Sequence, residues 1–132
     1  MIRLVVLPQM AKRANRIEQE RLRLPVAEPV LRVMRVRHEN DHPLSYEQIV
    51  LPLARFPGLS DSPVTADISE LAKRYALSLG LATERVETVI APHAVARHLR
   101  VQRRTRLLKL DRIVETTDGQ PVEWRIMFTL PH

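Results

Sequence analysis

RVRHENDHPLSYEQIVLP, Arg35–Pro52, is the stretch that decides the fold of this chain. Its centre, Glu39–Pro43, carries turn chemistry: Asn40 and Asp41 tolerate a left-handed backbone, and Pro43 fixes its own φ. Val30–His38 before the turn and Leu44–Leu51 after it alternate in the period of two that strands require, so the segment predicts a β-hairpin. In the first strand Leu31, Val33, Arg35 and Arg37 share one face, while Val30, Arg32, Met34 and Val36 share the other. Arg35 and Glu47 are equidistant from Asp41. A hairpin centred there sets the two opposite each other, with Arg37 two residues along the same face.

That face also carries Leu31, Val33, Ile49 and Leu51, and a guanidinium among apolar neighbours needs a partner to offset its lost hydration. From the pattern alone two readings stand. One is an exposed cross-strand ion pair worth about 0.2–1 kcal/mol. In the other, Glu47 neutralises one arginine and the second holds an anionic or carbonyl oxygen group of a ligand in bidentate fashion. A slip of one residue in register would undo the convergence.

Working outward, Ile2–Leu7 predicts a strand. Gln9–Leu22 predicts a polar helix whose sparse apolar stripe is Met10, Ala14, Ile17 and Leu22, ended by Pro25. Pro52–Pro63 is proline-rich loop with one helical turn at Leu53–Phe56. From Asp67, apolar residues at Ile68, Leu71, Ala72, Tyr75 and Leu79 repeat at helical spacing, Asp67 and Glu70 form a capping-box pattern, and Gly80 supplies a stop. Arg85–Ala91 predicts a strand, and Pro92 opens a short helix to about Leu99. Thr105–Thr116 and Val122–Leu130 flank TDGQP, whose Asp-Gly pair is the strongest hairpin signal in the chain. This second hairpin echoes the first: an arginine-bearing strand, a polar turn, a proline, a glutamate (Glu47, Glu123) and a closing Leu-Pro. Hairpins separated by helices, without regular strand-helix-strand alternation, predict an α+β fold, an antiparallel sheet with flanking helices.

The bulk numbers bound what such a domain can be. A chain of 132 residues, 45% hydrophobic and 27% charged, buries one core, so residues 1–132 read as a single domain. Cysteine is absent, which removes disulfides, thiolate nucleophiles and thiolate metal sites. No apolar run approaches the ~20 residues that span a bilayer, and the N-terminal apolar stretch is too short for a secretory signal; a cytoplasmic protein with no membrane partner is expected. A formal charge of +6 raises nucleic-acid binding, and Arg97–Arg112 gathers seven basic residues. Alternation of Leu108 and Leu110 against Lys109 and Asp111 fits a half-buried strand with a solvated edge, and 4% aromatics offer no stacking platform. Histidines 38 and 42 are four apart but straddle a predicted turn and share no helix face, and 93, 98 and 132 form no such pair, so neither a metal nor another cofactor is expected. Serines 45, 60, 62, 69 and 78 lack the glycine-flanked elbow of a catalytic nucleophile.

The order RVRHENDHPLSYEQIVLPLARFPGL, then DISELAKRYALSLG, IAPHAVARHL and DRIVETTDGQPVEWRIMF resembles the UTRA domain, the effector-binding half of HutC-type GntR transcription regulators. The resemblance spans nearly the whole chain. It implies a fold similar to chorismate lyase, a small-molecule effector site, no enzymatic activity, a homodimer, and DNA contact only through a winged-helix domain, for which these residues leave no room. By the same likeness Arg35 and Arg37 would hold ligand oxygens, Glu47 would accept ligand hydroxyls or amines, and Glu123 would face the same pocket. Asp67 and Ser69 stand where the family has a serine and an aromatic residue at a helix start that receives phosphate or carboxylate. A carboxylate there repels phosphate, so the expected effector is a sugar, amino acid or organic acid, with a phosphorylated sugar disfavoured. Asp67 also reads simply as an N-cap. With Asp67, Glu47 and Glu123 beside two arginines, the pocket suits a zwitterionic or amine-bearing ligand. Thr129 and Leu130 stand where the family tends to have tyrosine and arginine. Two other functions are weighed: a small lyase-like enzyme, from the shared fold, and a basic nucleic-acid-binding module.

Overall fold

The computed structural model describes residues 1–131. Seven strands form one antiparallel sheet: β1 (Ile2–Val6), β2 (Met10–Arg13), β3 (Pro29–Glu39), β4 (His42–Pro52), β5 (Leu79–Ile90), β6 (Arg106–Thr116) and β7 (Pro121–Thr129). Three helices flank it: α1 (Arg16–Leu22), α2 (Ile68–Arg74) and α3 (His93–Leu99). The strand order is β1-β3-β4-β7-β6-β5, with β2 pairing along the same β3 as β1. The expected α+β class is the one observed. The two long hairpins, β3–β4 and β6–β7, meet through their second strands, which places Glu47 and Glu123 on the two central strands.

Each hairpin is set by its turn. Asn40 and Asp41 both take left-handed φ, 49° and 68°, and close a two-residue loop. Glu39 then pairs with His42 and His38 with Pro43, but Arg37 pairs with Ser45, so Leu44 is an extra residue. This bulge restores the register that sets Arg35 opposite Glu47. In the second hairpin Gly119, at φ 83°, ends a three-residue loop closed by the Gly119 N–H on the Thr116 carbonyl at 2.9 Å. Glu115 pairs with Pro121 and Val114 with Glu123, leaving Val122 as the bulged residue. The echo between the hairpins thus extends to a proline followed by a bulge in each.

The sheet buries apolar side chains on both faces. On one, Leu31, Val33, Ile49 and Leu51 pack with Phe56, Leu59, Val64 and Leu71 from the loop after β4 and from α2. On the other, Val36, Tyr46 and Phe128 pack with Val95, Ala96 and Leu99 of α3. The loop after β4 contains two single 3-10 turns, Leu53–Arg55 and Leu59–Asp61, of which the first was expected.

Two sequence expectations are corrected. Met10–Arg13 is not helix but edge strand, paired with Pro29–Arg32, and the helix begins only at Arg16. Asn15 fixes that start: its side chain accepts from the Glu18 N–H, and Glu18 accepts from the Asn15 N–H, both at 2.8 Å. Glu18 is then buried against Arg32 through two bonds of 2.7 and 2.8 Å. Likewise, Gly80 is not the stop of α2. That helix ends at Arg74 with Ala76 left-handed at φ 55°, and Leu79 and Gly80 already belong to β5. A Cβ on Gly80 would lie 2.9 Å from the Thr116 carbonyl oxygen, so glycine serves close strand approach there.

Candidate functional site

On the α2 side of the sheet, a cavity of about 260 Å³ is lined by Arg35, Arg37, Glu47, Asp67, Ser69 and Glu123, joined by Ile68, Arg112 and Arg125. All six residues singled out from the sequence therefore line one hollow. The hairpin register and the alternation of side chains bring the strand residues there, and α2 supplies the lip. Asp67 acts as N-cap, accepting from the Glu70 N–H at 2.9 Å, and it borders the cavity as well.

The charged groups interlock. Glu47 is fully buried at 0% exposure, and its Oε2 accepts from Arg125 Nε at 2.6 Å and from Arg35 Nη2 at 3.4 Å. Its other oxygen, Oε1, is buried with no hydrogen-bond partner among the described residues, and so are Arg35 Nε and Arg112 Nε. Arg35 also donates through Nη1 to the Val64 and Ala66 carbonyls at 3.4 and 2.9 Å, which ties the segment entering α2 to the sheet. Arg112 donates to Glu123 at 2.8 Å. Burial pushes the Glu123 carboxyl above its ordinary range, and the bond and charge of Arg112, with the charges of Arg125 and Arg35, offset this only in part. Arg37 has no carboxylate partner within ion-pair distance among the described residues.

The sequence reading missed Arg112 and Arg125. They stand directly opposite each other across β6 and β7, and each is two residues from the position facing Glu123 or Glu47. Counting from the Asp118-Gly119 pair would have found them. Thr129 takes no part in the cavity; its hydroxyl donates to the Leu44 carbonyl at 3.1 Å and fastens β7 to the first bulge. The Arg97–Arg112 run does not act as one stripe, because Lys109 faces Glu87 at 3.9 Å while Arg112 enters the cavity. Among the described residues no three His, Asp or Glu side chains gather as a metal site; His132 lies outside them. His98 stacks on Tyr46 with ring centroids 5.0 Å apart.

Residues 5–130 match the UTRA domain. The chain belongs to the UTRA domain family. Solved structures share its fold: the ligand-binding domain of a GntR-family regulator from Bordetella bronchiseptica superposes with a TM-score of 0.86 at 27% identity, over 98% of this chain and 85% of that one. PhnF from Mycobacterium smegmatis gives 0.89 at 20% identity, over 98% of this chain and 58% of that one. An HTH-type transcriptional repressor of Salmonella typhimurium is 28% identical over 101 residues, which are 76% of this chain and 42% of that repressor. This UTRA domain thus spans less than half the length of that relative. It is the effector-binding type of domain found in GntR-family transcriptional regulators, and the relatives named here are regulators rather than enzymes. No described helix is long and apolar enough to cross a membrane.

Proposed function

We propose that this UTRA domain senses a small metabolite in the cavity lined by Arg35, Arg37, Glu47, Asp67, Ser69 and Glu123, and that occupancy alters the DNA affinity of a winged-helix domain outside residues 1–132. One observation carries the reading: Glu47 is buried between two guanidiniums with one carboxylate oxygen that meets no donor among the described residues. Burying charged groups costs several kcal/mol, and leaving their hydrogen-bonding atoms unused costs about 1–3 kcal/mol more, so a site built this way favours a ligand that completes it. Arg35 links the cavity to the Val64–Ala66 backbone, so a ligand drawing on Arg35 would bias the loop and the start of α2. Only differential affinity for two arrangements is required.

A thermal-shift screen of sugars, sugar phosphates, amino acids and urocanate-like acids tests the proposal. A saturable rise that disappears in Arg37→Ala supports it. Turnover of chorismate by the wild-type chain would overturn it in favour of the enzyme, and tight DNA binding by this chain alone, falling steeply with salt, would favour the basic nucleic-acid binder.

The proposal includes a homodimer formed along β5. This twelve-residue edge strand is exposed over most of its length, with Leu81, Val86 and Ile90 at 65%, 59% and 52% exposure. Long edges of this kind are usually shortened or covered. Two-fold antiparallel pairing centred on Val86 sets Arg85 opposite Glu87 of the partner subunit, and the reverse. Arg85→Glu should then yield monomers in sedimentation, and Arg85→Glu with Glu87→Arg should restore dimers; a wild-type monomer at high concentration would remove the dimer from the account.

A further inference from the structure

We infer that the effector is a small zwitterion of the amino-acid kind, carrying one carboxylate and one ammonium group, and not a phosphate ester; this rests on the effector-site reading above. The first argument is charge. Four guanidiniums (Arg35, Arg37, Arg112, Arg125) and three carboxylates (Glu47, Asp67, Glu123) line the cavity, so 4 − 3 leaves a surplus of one positive charge. Arg35 and Arg125 share Glu47, and Arg112 is held by Glu123, which leaves Arg37 as the cavity guanidinium in no ion pair among the described residues. A single ligand carboxylate matches Arg37 in bidentate fashion. A phosphate dianion would overcompensate it beside three carboxylates at close quarters.

The second argument is the sense of the unused hydrogen bonds. Arg35 Nε and Arg112 Nε ask for acceptors, while Glu47 Oε1 asks for a donor. A ligand offering only acceptor oxygens leaves Glu47 Oε1 unmet, and one offering only ammonium donors leaves the guanidiniums unmet. A molecule carrying both a carboxylate and an ammonium satisfies the three atoms together. The cavity volume, about 260 Å³, lies just below the roughly 300–1,000 Å³ of ordinary ligand pockets, which suits a molecule of amino-acid size.

Titration calorimetry on the intact chain tests this with the twenty proteinogenic L-amino acids, and with glycerol 3-phosphate and glucose 6-phosphate. For the tightest amino acid, its methyl ester and its des-amino acid are then compared. The expected result is a saturable amino-acid ligand, with ester and des-amino compound each at least tenfold weaker. The ester penalty should vanish in Arg37→Ala, and the des-amino penalty in Glu47→Gln. Arg37 lies outside the apolar clusters, so its variant keeps the test usable if the Glu47 variant does not fold. Binding of either phosphate ester more tightly than every amino acid would overturn the inference while leaving the sensor reading intact. An ester penalty that persists in Arg37→Ala, or no amino-acid binding at all, would also overturn it. The sensor reading itself fails if the broader metabolite screen is silent.

Discussion

The two central hairpins are built alike and charged differently. In β3–β4 the position facing the cavity pairs an arginine with a glutamate, Arg35 with Glu47; in β6–β7 the corresponding cross-strand pair is Arg112 with Arg125. Like charges directly opposite repel. The second hairpin is tolerable because each of its arginines finds a carboxylate diagonally, Arg112 on Glu123 and Arg125 on Glu47 of the neighbouring hairpin. Glu47 therefore serves both hairpins, whereas Glu123 serves its own. The site is a property of the junction between the two hairpins and belongs to neither alone.

This asymmetry predicts the largest effect. Glu47→Ala strands Arg35 and Arg125 in a buried site, and removing one partner of a buried pair costs about 3–5 kcal/mol. Glu123→Ala strands Arg112 alone and removes a carboxyl whose charge burial already disfavours, so its cost should be less than half as large. Urea unfolding of the two variants compares them directly. Equal losses would mean that the hairpins are energetically independent and that the Arg125–Glu47 bond carries little.

Arg37→Ala sharpens the contrast from the other side. Arg37 takes part in no ion pair among the described residues, so its loss should leave stability within about 0.5 kcal/mol. Effector affinity should nevertheless fall at least tenfold. An Arg37 variant that loses stability as much as the Glu47 variant would place Arg37 in the frame of the domain and not in its binding chemistry.

The first hairpin was legible in the sequence because one turn fixes the positions of Arg35, Arg37 and Glu47, and opposite charges at facing positions announce themselves. Even so, the count from Asp41 succeeds only through Leu44: the turn is centred between Asn40 and Asp41, and the bulge supplies the missing residue. Arg112 and Arg125 were hidden because two facing cations read as a solvated edge, and Arg112 also closes a run of surface basic residues. Their carboxylate partners are diagonal, and one of them lies on another hairpin, which no local pattern records. The strand at Met10–Arg13 was misread for a related reason. Its polar residues face solvent at the sheet edge, where tertiary pairing with β3 outweighs a weak helical period. The N-cap at Asn15, by contrast, was present in the sequence as Asn15 with Glu18 three residues on.

The smallest expected effect is a pH dependence that distinguishes two buried glutamates on opposite faces of the sheet. Burial raises Glu123, so the folded chain holds that proton more tightly than the unfolded chain does. The stability this group contributes is full below the unfolded value near 4.5 and is lost as pH rises through the higher folded value. Glu18 runs the other way. Its burial alone would raise it, but hydrogen bonds from Arg32 and the Asn15 N–H, with the Arg32 charge, together hold its carboxyl below the ordinary range. Its contribution is present above 4.5 and lost as pH falls through the lower folded value. In urea midpoints measured from acid to neutral pH, the difference between wild type and Glu123→Gln should therefore shrink as pH rises, while that between wild type and Glu18→Gln should grow. Slopes of the same sign would mean that Arg112 outweighs burial at Glu123 and that the cavity carboxyl is structurally satisfied without a ligand. The same titration bears on effector binding, because protonating Glu123 frees Arg112 and leaves the cavity more cationic.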